Sequence, residues 1–269
     1  MTPETASASR AAERPPLRRV ALPSEHGGWG LTLEPIALGL LIAPSWAGLA
    51  VGAAALVGFL FRTPAKLVAV DLRRHRRLAR TDMAARVAVV EAVVMIVLVV
   101  GATASAGWRW WLPVVAAAPL VAVEMAFEIR SRGRRLVPEL CGAVGVAAAA
   151  GAVVAASGSA SMPLAVGAWL VLASRSIAAI PFVRARIAQR RGTAFVPSTA
   201  WSDAVAIIVG AIAVALDARL ALGAVAVVIV IVVQRWWRRS PAPAPKVIGV
   251  RQMSAGLAVV VATAIGTWL

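Results

Sequence analysis

Residues 73–104 read RRHRRLARTDMAARVAVVEAVVMIVLVVGATA. Four arginines and a histidine fill positions 73–77, and from Met83 onward the run holds only two charges, Arg86 and Glu91. As a helix, 83–104 rises about 33 Å at 1.5 Å per residue, enough for a hydrocarbon core of about 30 Å. A cluster of arginines against an apolar run of that length reads as the inner edge of a membrane span. The basic stretch before it, 62–80, is too long for a turn. Its Leu67, Val68, Val70, Leu72 and Leu78, set among cations, predict a helix lying on or emerging from the inner membrane surface.

Working outward, the same alternation repeats. Apolar runs at 29–45, 47–61, 83–104, 110–129, 138–157, 162–183, 200–216, 218–233 and 248–268 predict nine transmembrane helices in an all-α, polytopic helical bundle. Breaks at 44–46 and 217–219 are so short that each implies a tight helical hairpin. The composition agrees: 269 residues are 60% hydrophobic and 15% charged, with net charge +16 and mean hydropathy +0.82. A soluble domain holds about 45–50% apolar and about 25% charged residues. So little polar surface excludes a nucleic-acid-binding domain, and the single cysteine, Cys141, excludes a disulfide scaffold or a thiolate metal site.

Sorting the cations by side sets the orientation. Of 28 Lys and Arg, 24 fall on alternate sides of nine crossings: residues 10–19, 62–80, 130–135, 184–191 and 235–251. The opposite breaks hold Arg109 and Arg219, and Arg86 and Arg175 lie within spans. The positive-inside rule then puts the N-terminus in the cytoplasm and the C-terminus outside, as expected of a multi-pass protein of a cytoplasmic (inner) membrane. Trp29, Trp201, Trp236 and Trp237 fall at the inner boundary and Trp46, Trp108, Trp110, Trp111 and Trp268 at the outer one, an aromatic belt with Trp169 alone at mid-span. Residues 1–22 form a basic cytoplasmic N-terminus expected to be disordered, without the apolar core of a signal peptide. Residues 23–269 form a single transmembrane helical domain. Gly142, Gly145 and Gly151 suit close helix packing, and Pro241-Ala242-Pro243-Ala244-Pro245 a polyproline-like strap.

Ionisable groups inside spans are costly and mark candidate sites. Glu34, Glu91, Glu124, Glu128, Glu139 and Asp203 all fall in the inner half of the bilayer, with Arg175 in the same layer. This one-sided layer predicts a polar cavity facing the cytoplasm. Glu34, Glu91 and His26 are the candidate acid/base groups, His26 sitting in Pro23-Ser24-Glu25-His26-Gly27-Gly28-Trp29-Gly30 at the mouth. Arg62, Lys66, Arg175, Arg184 and Arg186 are the candidate ligand-binding cations, suited to a diphosphate or carboxylate. The competing reading makes the same charges packing pins. His75 belongs to a solvated charge run, and that run suits anionic lipid headgroups. No metal site follows from a lone His26, and no cofactor is implied.

Three segments, Pro23 to Gly30, Arg62-Thr63-Pro64-Ala65-Lys66 with Asp71-Leu72-Arg73-Arg74, and Pro181-Phe182-Val183-Arg184-Ala185-Arg186-Ile187, resemble the YwiC-like family of bacterial membrane proteins. That resemblance implies an integral membrane protein and no particular reaction. A more distant likeness is to UbiA-type intramembrane prenyltransferases, which share nine helices, a cytoplasmic N-terminus and an inward-opening cavity. Their NDxxDxxxD and DxxxD motifs hold magnesium against a prenyl diphosphate. Here Lys66 and Val70 stand where two of those aspartates fall, and the second loop offers Ser174-Arg175-Ser176 and Arg184-Ala185-Arg186. Arg and Lys in place of carboxylates remove the need for a bridging cation and also the Lewis acid. The leading expectation is therefore an anionic isoprenoid or lipid-like ligand on a UbiA-like scaffold, with prenyltransferase-type transfer as its enzymatic form. The alternatives are a secondary transporter or permease for a small anion and a non-catalytic membrane assembly protein.

Overall fold

The computed structural model describes residues 17–22, 26–130, 135–193 and 199–269, with backbone alone for 18, 19, 26 and 27. Among them every regular element is helical. They are α1 (Leu17–Ala21), α2 (His26–Ile42), α3 (Trp46–Arg73), α4 (Ala79–Ala106) and α5 (Trp111–Ile129). Then follow α6 (Leu136–Ala156), α7 (Met162–Arg190), α8 (Ala200–Leu216), a 3₁₀ turn (Ala218–Leu220), α9 (Ala221–Trp237) and α10 (Pro245–Trp268). Seven of these segments are long and apolar enough to cross a membrane; α2 and α8 are apolar but shorter. Seventeen residues rise only about 25 Å.

The two short breaks are hairpins with identifiable caps. Pro44-Ser45 joins α2 to α3, and the Ser45 Oγ accepts from the Gly48 amide at 2.9 Å. Asp217 joins α8 to the 3₁₀ turn and accepts from the Arg219 amide at 3.1 Å and its Nη2 at 2.7 Å. Ser161 caps α7 in the same way, through the Leu164 amide at 3.3 Å. A hydroxyl or carboxylate at the N-cap satisfies a donor that the first turn leaves free.

α6 and α7 form the core, two-thirds buried by the other helices. Their contact surfaces are Ala and Gly, so backbones approach closely: a Cβ on Gly151 would lie 2.8 Å from the Ala165 carbonyl oxygen. α2, α3 and α5 pack on α6, while α8, α9 and α10 pack on α7, and α10 returns to α2. α4 lies outermost against α3, with Val89, Val93, Ile96, Val97 and Val100 exposed. An apolar face of this kind suits a lipid surface or another protein rather than water.

The contacts fall at two levels. At one end Trp268 Nε1 donates to the Leu41 carbonyl, and Trp111 Nε1 to Thr103 Oγ1. At the other, Arg73 reaches the Ile129 carbonyl, Arg184 reaches Glu139, and Arg235 reaches Asp203. Successive helices therefore run in opposite directions, and the basic connections gather at one end.

One expectation narrows and three change. Of the two forms expected for 62–80, a helix lying on the surface is not found and one continuing out of a span is, because α3 runs unbroken through Pro64 to Arg73. Acids hold it: Arg62 and Lys66 meet Glu128, and the buried Asp71 accepts from Arg80 Nη2 at 3.0 Å and Thr81 Oγ1 at 2.8 Å across the elbow. α7 likewise runs past residue 183 to Arg190. Leu17–Ala21, within the segment expected to lack structure, forms a helical turn with Val20 buried; residues 1–16 lie outside the described residues. Trp110 is no interfacial anchor: it is 3% exposed and stacks on Trp111 with centroids 4.6 Å apart.

Candidate functional site

Where α2, α7, α9 and α10 meet, four polar side chains lie under a tenth exposed: Glu34, Arg175, Gln234 and Gln252. Arg175 Nη2 donates to Glu34 Oε1 at 3.2 Å and to the Gln252 carbonyl at 2.7 Å. Gly256 makes this geometry available. A Cβ there would collide with the Glu34 carboxylate and with Arg175 Nη2, so the pair lies flat against bare α10 backbone. Gln234 Nε2 donates to Gln252 Oε1 at 3.2 Å.

The centre is not saturated. Arg175 Nε, Gln234 Oε1 and Gln252 Nε2 are buried without a hydrogen-bond partner. Turning both amides over exchanges donor and acceptor but still leaves one N–H and one carbonyl oxygen unmatched. Each such atom costs about 1–3 kcal/mol when buried. Gln252 also floors a small hollow walled by Phe182, Arg186, Trp237 and Arg251, with room for about one water. So the centre has hydrogen-bonding capacity in reserve, and the hollow shares Gln252 with it.

The other candidate residues fall elsewhere, so the expected layer divides into separate groups. Arg62 Nη2 bridges Glu124 Oε1 at 2.8 Å and Glu128 Oε1 at 2.7 Å, and Lys66 reaches Glu128 at 3.2 Å. Gly142 clears the space that the Glu124 carboxylate occupies. Arg184 pairs with Glu139 at 2.8 Å. Arg186, 2% exposed, donates to Gln189 Oε1 at 2.7 Å and to the carbonyls of Ser240 and Pro241 at 2.9 and 2.8 Å. Glu91 stands on α4 one turn before Met95, which abuts Gly58 of α3, and its Oε2 is buried without a partner. His26 begins α2, and its side chain lies outside the described residues, as do Pro23 to Glu25.

Thus Glu34 and Arg175 meet, whereas Arg62 belongs to the α3–α5 contact. Counting ionisable groups alone passed over Gln234, Gln252 and Gly256. The signal was present: of three glutamines in the chain, two sit at the inner ends of apolar runs. Among the described residues, no three His, Cys, Asp or Glu side chains gather as metal ligands.

Among the described residues, the apolar helices, seven of them long enough to cross a membrane, and the exposed valine face of the outermost one define a multi-pass helical membrane protein. Residues 22–153, just under half of the chain, match the family described as YwiC-like protein, and over that stretch the chain is similar to it. That stretch covers α2 to α5 and most of α6, so it supplies Glu34 and the α3–α5 ion pairs, while Arg175, Gln234 and Gln252 lie beyond it. Neither the curated proteins nor the solved structures return a match.

Proposed function

We propose that this YwiC-like protein crosses a bacterial cytoplasmic membrane nine times, N-terminus inside, and binds the polar head of an isoprenoid- or lipid-like ligand at the Glu34–Arg175–Gln234–Gln252 centre. The opposed helices and the collection of basic connections at one end support the crossing number and orientation. One observation carries the ligand reading: a guanidinium N–H, an amide N–H and an amide oxygen from three helices are buried together unpaired. A ligand carrying both a donor and an acceptor matches them. The Glu34–Arg175 pair is internally neutral, so this centre favours a polar head over a full anion, unlike the anionic head expected from the cations alone. Arg62, Lys66 and Arg184 serve instead as packing pins with their acids.

The test is co-purification. Gln234→Leu/Gln252→Leu keeps side-chain volume and removes both amides, a change near neutral for stability when both partners go. Wild type should retain a specific lipid through detergent exchange, read by mass spectrometry of the extract, and the double variant should lose it with an unchanged melting temperature. Equal retention by both proteins, or none by wild type, means that the unpaired atoms hold only water.

A further inference from the structure

At the basic end, cation after cation meets a carboxylate: Arg62 and Lys66 on Glu128, Arg80 on Asp71, Arg184 on Glu139, Arg235 on Asp203. Others, such as Arg73 and Arg190, hold backbone carbonyls, and around the hollow, too, no acid stands among the described residues. Arg186 and Arg251 line it together with Phe182, Trp237, Pro243 and Gln252, and among the described residues neither arginine pairs with an acid. Arg251 instead lies 4.9 Å over the Trp237 ring. Arg238 adds a third positive charge within electrostatic reach of Arg186 and donates to Thr199 Oγ1. A cluster of like charges, one of them 2% exposed, is costly unless something negative visits it.

What fills the place at present is the strap. Arg186 holds the Ser240 and Pro241 carbonyls, and Arg190 holds that of Ala242 at 3.3 Å. Pro241, Pro243 and Pro245 have no N–H to donate, and the tethers to Arg186 and Arg190 run through carbonyls. A neutral carbonyl is a weaker partner for guanidinium than a phosphoryl oxygen, which accepts in a bidentate, charge-assisted manner.

We propose that Arg186 and Arg251 form a phosphoryl-anion subsite, in which the Ser240 and Pro241 carbonyls at the head of the strap hold Arg186 until a phosphate group displaces them. The one-water hollow admits the anion only when the strap moves, and the walls of Phe182 and Trp237 suit an apolar chain beside the phosphate. The subsite rests on the buried-centre reading in that Gln252 is the floor of both, and it extends that reading from a polar head to a phosphorylated one.

The experiment uses the full chain in nanodiscs, labelled with an environment-sensitive fluorophore at Ala244→Cys in a Cys141→Ser background. Two probes are titrated: inorganic phosphate against chloride at matched ionic strength, and phosphatidic acid incorporated into phosphatidylcholine discs. A saturable change with either probe is expected. Free phosphate alone identifies a soluble source and phosphatidic acid alone a lipid headgroup; both support the subsite. The exposed Arg251→Gln should weaken the response at least tenfold with an unchanged melting temperature. Arg186→Lys, which keeps the charge but loses the fork, should weaken it too and raise strap mobility without a probe. No saturable response, or Arg251→Gln within twofold of wild type, overturns the subsite. Lipid loss in Gln234→Leu/Gln252→Leu beside unchanged phosphate binding in Arg251→Gln would overturn the subsite alone. The reverse pattern would overturn the buried-centre reading alone.

Discussion

Gly256 decides more than its size suggests. By leaving α10 bare it lets Arg175 reach a helix carbonyl while pairing with Glu34, in a place where neither charge is hydrated. A pair of this kind contributes little net stability, but breaking it strands a buried charge at about 3–5 kcal/mol. Glu34→Gln or Arg175→Met should each lower stability by about 3 kcal/mol in denaturant titrations of micellar protein. Glu34→Leu/Arg175→Met together should recover most of that loss, because no charge is left unpaired. Additive losses would mean that the two side chains do not act as a pair. Glu34 and Arg175 were legible as intramembrane charges, but their partnership was not. They are separated by 141 positions in the chain, and nothing local marks that Gly256 makes room for them.

At the scale of elements, hydropathy located the spans and missed how far two helices run on. An apolar count stops at the first cluster of cations, so it ended the second and sixth spans near 61 and 183, whereas α3 and α7 continue to Arg73 and Arg190. Ion pairs to α5, α6 and the start of α4 carry them on, and those contacts are tertiary. The outer α8–α9 hairpin is governed locally. The Arg219 guanidinium holds the Asp217 carboxyl below the usual aspartate range. A depressed carboxyl contributes stability that is present above its unfolded pKa and is lost as the pH falls through the lower folded value. Asp217→Asn should therefore cost about 1 kcal/mol at neutral pH, read as a lower melting temperature. The gap to wild type should close only below the ordinary aspartate range; a gap independent of pH would leave the ion pair with no role.

For the whole molecule, the basic ends meet at one level and the nearly uncharged connections at the other. In a Cys141→Ser background, cysteines at Ser159 and Ala218 should react with an impermeant maleimide added to intact cells. Cysteines at His75 and Ser240 should react only after the membrane is opened. Labelling of one from each set on the same side would overturn nine crossings.

The amino-acid order alone determined that this is a membrane protein, which ends of its helices gather the cations, and where the hairpins turn. Those properties follow from hydropathy, charge and capping, each of which acts over a few residues. It also carried the YwiC-like segments. Only the tertiary structure decided which charges neutralise one another. The cations that stood out as ligand-binding were in large part already satisfied by acids on other helices. Unpaired capacity remained at the centre on two glutamines and the Nε of a buried arginine. A side chain is free or occupied according to its neighbours in space, and long-range packing of α2, α7, α9 and α10 sets those neighbours.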